Sequence, residues 1–274
     1  MEFISSMYAI NGSKLIQCNL RDITAEKRAQ EEITRLKSDM AARAAELESV
    51  NRDLEAFNHA VAHDLRKPLT AVNGYCQVLQ EMCGDRLDEK CSRYLQEAYQ
   101  GTWRMNLLID TLLKFSSLTR IKPRRVTLPL DELAREVAAE LQFAEPERAV
   151  EFRIAEGVTV EGDPVLLRVV LENLLGNAWK YTAKQQAAVI EFGVTQIDGK
   201  PVFMVRDNGV GFQRADAKKI FIAFQRLPGS EEFQGFGVGL ATVERIIRGH
   251  GGKVWAEGEP GQGASFYFTL PVAS

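Results

Sequence analysis

The sequence predicts an α+β protein in which a long coiled-coil helix leads into an antiparallel helical hairpin, the half-unit of a dimeric four-helix bundle, followed by an α/β sandwich. Three observations predict it. Apolar residues recur every seven positions from Ile33 to Val61, two long helical stretches meet at Gly84-Asp85, and strand and helix patterns alternate from Arg125 to Leu270. The 274 residues leave room for about two domains. With 34 Lys plus Arg against 37 Asp plus Glu, the net charge is -3, which argues against a nucleic-acid partner because no basic excess exists to displace counterions from phosphates. No apolar run approaches the roughly 20 residues that span a bilayer, and the first residues lack a basic-then-apolar leader. The expectation is a cytoplasmic chain with no membrane segment. Cys18, Cys76, Cys83 and Cys91 have no zinc-like spacing and are expected to be idle thiols.

In order, Glu2 to Ile10 and Lys14 to Leu20 alternate like strands around Asn11-Gly12, the dipeptide most favoured in tight hairpins. Two strands alone are marginal in water, so the chain is expected to begin inside a larger domain. The heptad positions Ile33, Met40, Leu47, Leu54 and Val61 are joined three residues later by Leu36, Val50 and Phe57, with Arg43 the polar exception. So narrow a stripe is a coiled-coil seam and implies a homodimer, since one helix cannot bury it alone. The helical pattern passes Pro68, which is expected to kink or loosen it, and runs to Gly84-Asp85. A second helix is expected from about Leu87 to Leu118, and Lys122 to Arg125 as a linker. Beyond it come a strand near Arg125 to Leu128, a helix from Leu130 to Gln142, and strands near Val150 to Ile154 and Val158 to Val160. A helix from Pro164 to Tyr181 is announced by Asp163 as N-cap and proline in the first turn. Strands near Ala188 to Thr195 and Pro201 to Arg206, a loop-rich stretch, a helix near Val238 to Arg248 and a hairpin of Lys253 to Glu257 with Ser265 to Leu270 complete the sandwich.

On the Pro164 helix, Leu167, Leu171, Leu174 and Ala178 share one face, and Asn173, Asn177 and Lys180 share the roughly opposite one. Two amides and an ammonium so aligned can coordinate a metal and neutralise a phosphate; alone, they equally describe a solvated polar face. Downstream, Asp207-Asn208-Gly209-Val210-Gly211 ends an apolar strand and is expected to put a carboxylate at the sheet edge, beside backbone that a ligand can approach closely. Gly235-Phe236-Gly237-Val238-Gly239-Leu240 then opens a helix whose free N–H groups suit phosphate. A dinucleotide fold fits poorly, because the glycine spacing differs from G-x-G-x-x-G and no clear strand precedes it; a conventional P-loop is absent.

These residues resemble the sensor histidine kinases, with the ATP-binding fold shared with gyrase, Hsp90 and MutL. Asn173 to Thr182 is similar to the N box, Asp207 to Gly211 to the G1 box, Phe221 to Arg226 to the F box and Gly235 to Leu240 to the G2 box. Phe57 to Leu69 resembles the H box, with His63 matching the phosphoacceptor and Asp64 following it. His59, one turn earlier, lacks the Glu and third ligand of a zinc site. Residues 1–24 resemble the last strands and exit motif of a PAS sensor domain, Arg21 to Thr24 included. The resemblance implies domains at 1–24 (PAS remnant), 25–55 (coiled-coil linker), 56–121 (dimerisation and phosphotransfer) and 126–274 (catalytic).

The resemblance implies that the γ-phosphoryl of ATP moves to His63 and then to an aspartate of a response regulator receiver domain. Asp64 would orient the imidazole and take up its proton. Asn177 and Asn173 would ligate Mg²⁺ and Lys180 would offset phosphate charge. Tyr181 would line the pocket, and Asp207 would accept from the adenine amine. Gly209, Gly211, Phe221, Phe224, Arg226, Gly235, Gly237, Gly239 and Leu240 would complete the nucleotide site, with 212–234 as its lid. Three residues depart from the family pattern: Ala62 for a frequent Ser, Phe236 for a common Thr, and Lys67 for the Thr or Asn associated with phosphatase activity. The last implies a strong kinase and weak phosphatase. A catalytically idle dimeric scaffold and a hydrolytic ATPase of the gyrase type are the alternatives; the second expects a carboxylate where Asn173 stands.

Overall fold

The structure, a computed structural model, describes residues 2–10, 13–21, 24–117, 123–197, 199–227, 233 and 235–271. Asn11-Gly12, Asp22, Ile23, Lys122 and Gly229 lie outside them. By backbone contacts the chain forms two units, Met1–Phe57 and Asn58–Ser274.

In the first unit, strands β1 (Glu2–Ile10) and β2 (Ser13–Arg21) pair antiparallel from Glu2 opposite Arg21 to Ile10 opposite Ser13. Helix α1 (Thr24–Cys83) follows. Its seam residues are exposed in the single chain, among them Met40 at 70%, Leu47 at 69% and Phe57 at 63%. A stripe of this kind, left in water, is what a partner helix covers.

In the second unit α1 runs on to Cys83, a short 3₁₀ turn (Gly84–Arg86) reverses the chain, and α2 (Glu89–Ser117) returns along it. Asn58 donates to Ser116 Oγ at 3.2 Å, Arg66 pairs with Asp110 at 2.6 Å, and Thr102 bonds Asn73. As the sequence pattern predicts, α1 runs past Pro68 and stays helical through it. A proline removes one i→i−4 bond, while the Arg66 and Asn73 contacts on either side pin α1 to α2 and hold the helix across the gap.

The sandwich begins with β3 (Val126–Pro129) paired to β5 (Thr159–Gly162). Its main sheet has the order β4-β6-β7-β9-β8, built from Val150–Ile154, Ala188–Ile197, Lys200–Asp207, Gly263–Phe268 and Val254–Glu259. Only β4 with β6 is parallel. Helices α3 (Leu130–Ala144), α4 (Pro164–Tyr181) and α5 (Gly239–Gly249) supply the other layer. α4 is the spine: Leu167, Val170, Leu171, Leu174, Leu175 and Ala178 have no exposed surface and pack with Ile190, Phe192 and Phe268 of the sheet. Its start is fixed as the sequence predicts, Asp163 Oδ1 accepting from Val165 N at 3.0 Å and Leu166 N at 3.2 Å. The buried His250 at the end of α5 ties this cap down. Its Nδ1–H donates to the Ile246 carbonyl at 2.8 Å, and Nε2 accepts from Asp163 N at 3.0 Å.

Candidate active site

α4 buries its leucines inward, so the residues one-half turn away emerge along one strip, and that strip faces a cavity. Asn173, Asn177, Lys180 and Tyr181 line a cavity of about 650 Å³ together with Asp207, Gly211 and Arg226, and with Gly235, Gly237, Gly239 and Leu240 at the start of α5. The size suits a cofactor-sized ligand. The alternative of a solvated polar face is therefore not realised for these three α4 residues.

Asp207 ends β7, which is the central strand of the main sheet, paired with β6 on one side and β9 on the other. The expectation of a sheet edge is corrected: the carboxylate lies at a strand end inside the sheet and is 4% exposed. Burial pushes its carboxyl up to about 6, against the pull of hydrogen bonds from the Gly209 and Ala264 amides. Gly209 N donates to Asp207 Oδ1 at 2.8 Å. Burial, assisted by the nearby Arg226 charge, lowers the Lys180 ammonium to about 8. Its Nζ lies 4.2 Å from the Tyr181 ring centre, and Tyr181 meets Phe233 edge-on at 4.9 Å. Arg226 Nη2 donates to the Phe233 carbonyl at 2.7 Å. A basic end built from Lys180, Arg226 and the first amides of α5 thus faces one side of the cavity, with the Asp207 carboxylate on its wall.

Three predicted nucleotide-site residues are off the wall. Gly209 works behind it, since a Cβ there would stand 2.5 Å from the Tyr181 carbonyl. Phe221 packs against the core cluster. Phe224 is 47% exposed at φ 65°, and its N–H is bonded to the Gly237 carbonyl at 2.9 Å. Its backbone, not its ring, couples the loop to the glycine segment. Gly211 is required twice over, by φ 64° and by the Glu259 carbonyl, which a side chain would strike. Gly239 likewise gives room to Asn173 Oδ1, whose Nδ2 donates to Val169 O at 2.7 Å.

Phe212, Gln225 and Phe233 of the expected lid stretch also line the wall, whereas sequence reasoning missed Phe266 of β9 and Thr111 of α2. Phe266 was accessible from the in-out alternation of β9; Thr111 had no local signal. His63 and Asp64 are exposed on α1, with His63 Nδ1 3.1 Å from Asp64 Oδ1 and Lys67 Nζ 3.9 Å from the same oxygen. No α1 residue lines the cavity among the described residues. His59 is exposed, and the described residues hold no cluster of three or more His, Cys, Asp or Glu fit for a metal. Nor is any described helix long and apolar enough to cross a membrane.

Residues 53–121 match the His Kinase A (phospho-acceptor) domain, and residues 162–274 match the family described as histidine kinase-, DNA gyrase B-, and HSP90-like ATPase. The phytochrome-like protein Cph1 of Synechocystis sp. is 32% identical over 242 residues, 88% of this chain and 32% of that protein. The methanogenesis regulatory histidine kinase FilI of Methanothrix harundinacea is 32% identical over 89% of this chain and 28% of its own length. The adaptive-response sensory kinase SasA of a Synechococcus sp. is 33% identical over 88% and 64%. Among solved structures, full-length ShkA in complex with AMPPNP is 28% identical, with a TM-score of 0.56 over 79% of this chain and 46% of that one. The chain spans 32% of the length of the first of these relatives.

Proposed function

Since the chain belongs to the histidine kinase family, we propose that it transfers the γ-phosphoryl group of ATP to His63, and from there to an aspartate of a response regulator receiver domain. One observation carries the reading: Asn173, Asn177, Lys180, Asp207 and the glycines before α5 converge on one cavity, in a chain whose helical hairpin exposes a His-Asp pair.

His63 Nδ1–H facing Asp64 leaves Nε2 with its lone pair free as the nucleophile. Attack by Nε2 forms the N–P bond as the bond from the γ-phosphorus to the bridging oxygen breaks and ADP leaves. Asp64 takes up the Nδ1 proton and so offsets the charge that develops on the ring. Lys67 competes for that same Asp64 oxygen, and as the residue four after the acceptor it supports a weak phosphatase. In the cavity Lys180 and the α5 amides neutralise phosphate oxygens. Asp207 accepts from the exocyclic amine of adenine; guanine would present a carbonyl there, leaving two acceptors opposed. Asn177 and Asn173 would hold Mg²⁺ through their amide oxygens, a donor type that suits this hard cation, and the ion would supply charge neutralisation at the phosphates. With Asn173 in place of a carboxylate, α4 offers no base one turn before Asn177 to activate water, which favours transfer over hydrolysis. Because no α1 side chain lines the cavity among the described residues, transfer requires the catalytic domain to move, with 122–125 as the hinge. Residues 1–24 as a sensor end and 25–55 as its coiled coil complete the proposed layout, working as a homodimer.

Titration with a non-hydrolysable ATP analogue tests the nucleotide reading. ATP is expected to compete and GTP not, and Asp207→Asn to lose that preference; equal competition by GTP overturns the Asp207 assignment.

A further inference from the structure

Thr111 is the one cavity-lining residue, among those described, that comes from the helical hairpin instead of the sandwich. One turn further along the same face of α2, the Arg245 guanidinium of α5 lies 4.1 Å from the centre of the Phe115 ring. Its Nη1 donates to the Phe115 carbonyl at 2.6 Å. Phe115 stands two residues from the end of α2, where carbonyls lack intrahelical partners and the helix end is negative, so a guanidinium there both caps and charge-matches the helix. The helix that carries Arg245 is the one whose first residue, Gly239, lines the cavity. Thr111 donates its hydroxyl proton to Leu107 O at 2.7 Å, which leaves oxygen lone pairs and a methyl group for a ligand.

We propose that α2 supplies the last wall of the nucleotide cavity, with Thr111 touching the bound nucleotide and the Arg245–Phe115 contact holding α2 there, so that nucleotide affinity depends on docking of the phosphoacceptor hairpin. The proposal rests on the reading of the cavity as a nucleotide site. At about 650 Å³ with α2 in place, the cavity has room for its ligand while docked. The docked section of α2 is also the relevant one. The Asn58–Ser116 and Arg66–Asp110 contacts bracket Thr111 on α2 and His63 on α1, so Thr111 belongs to the same section of the hairpin as the acceptor, although His63 itself is off the cavity wall. By reciprocity, the nucleotide tightens the docking as much as docking tightens the nucleotide.

The test is calorimetric titration of the full chain with a non-hydrolysable ATP analogue and Mg²⁺, comparing native protein with Thr111→Ala, Phe115→Ala, Arg245→Ala, the Thr111→Ala/Arg245→Ala double variant and Asp207→Asn. Arg245→Ala and Phe115→Ala are expected to weaken binding about 5-fold or more. Thr111→Ala is expected to weaken it less and to add nothing in the Arg245→Ala background, because both act through one docked state. Native-like or tighter binding by Arg245→Ala, or an additive Thr111→Ala loss, overturns the proposal. Should Arg245→Ala unfold, Arg245→Lys carries the test, since lysine keeps a donor but loses the planar stack; native affinity there overturns it equally. Failure of the native chain to bind, or an Asp207→Asn variant that keeps the native preference for ATP over GTP, sinks the nucleotide reading itself and is distinguishable from either result.

Discussion

Asp207 and Lys180 face the same cavity, and burial displaces them in opposite directions: the carboxyl up to about 6, the ammonium down to about 8. A nucleotide needs the first ionised to accept from an amine and the second protonated to meet phosphate. Affinity for the ATP analogue is therefore expected to be greatest between about pH 6 and 8 and to fall on both sides, whereas a flat profile from about pH 5 to 9 contradicts both roles. The free protein carries the opposite consequence for stability. Asp207 holds its proton more tightly folded than unfolded, so its ionisation destabilises the fold as pH rises from about 4 to 6, and that cost persists above. Two pH units correspond to about 3 kcal/mol at most. Asp207→Asn, whose amide oxygen still accepts from Gly209 N, is expected to raise the melting temperature at pH 7.5 and to leave it nearly unchanged at pH 4. Equal effects at the two pH values would contradict the burial argument. The shared face of Asn173, Asn177 and Lys180 was legible in the helix spacing, whereas the meeting of Lys180 with Asp207 was implied by the resemblance to the histidine kinases. That Gly209, Phe221 and Phe224 stand off the wall was not legible, because membership of a motif says that a residue is needed without saying on which side of the wall it works.

α4 shows what an element's ends and faces contribute. Asp163 satisfies two of its first amides and also accepts from Arg124 N at 3.0 Å. Asp163→Ala is expected to cost about 1–2 kcal/mol, read as a lowered denaturant midpoint with the slope unchanged; an unaltered midpoint would show that His250 and the buried leucines alone fix the helix start. This boundary was legible because a cap is a local signal, as is the Gly84 reversal between α1 and α2. The continuation of α1 past Pro68 was legible from its pattern too, but the pairs that pin it to α2, Arg66–Asp110 and Asn73–Thr102, were not, being more than 25 residues apart in sequence. Strand order was equally out of reach. β9 lies between β7 and β8, and β4 joins parallel to β6, and neither pairing leaves a mark in the local alternation that identified the strands.

At the scale of the molecule, the seam of α1 from Ile33 to Phe57 is apolar and uncovered in the single chain, and the phosphoacceptor domain match implies a dimer. Replacing Leu47 and Leu54 together by Glu is expected to weaken self-association by at least about 10-fold in analytical ultracentrifugation, each change placing charge at a seam position; an unchanged dimer would assign assembly to the hairpin alone. Dimerisation was legible from periodicity, whereas the closure of the cavity by Thr111 joins residues from two domains and could be found only in three dimensions. Both matter to the central claim, that a cavity on one domain phosphorylates a histidine on the other. The most direct measurement is incubation of the native chain and His63→Gln with γ-labelled ATP and Mg²⁺. The account predicts acid-labile, base-stable label on the native chain and none on the variant; an unlabelled native chain, or label that persists in His63→Gln, would contradict it.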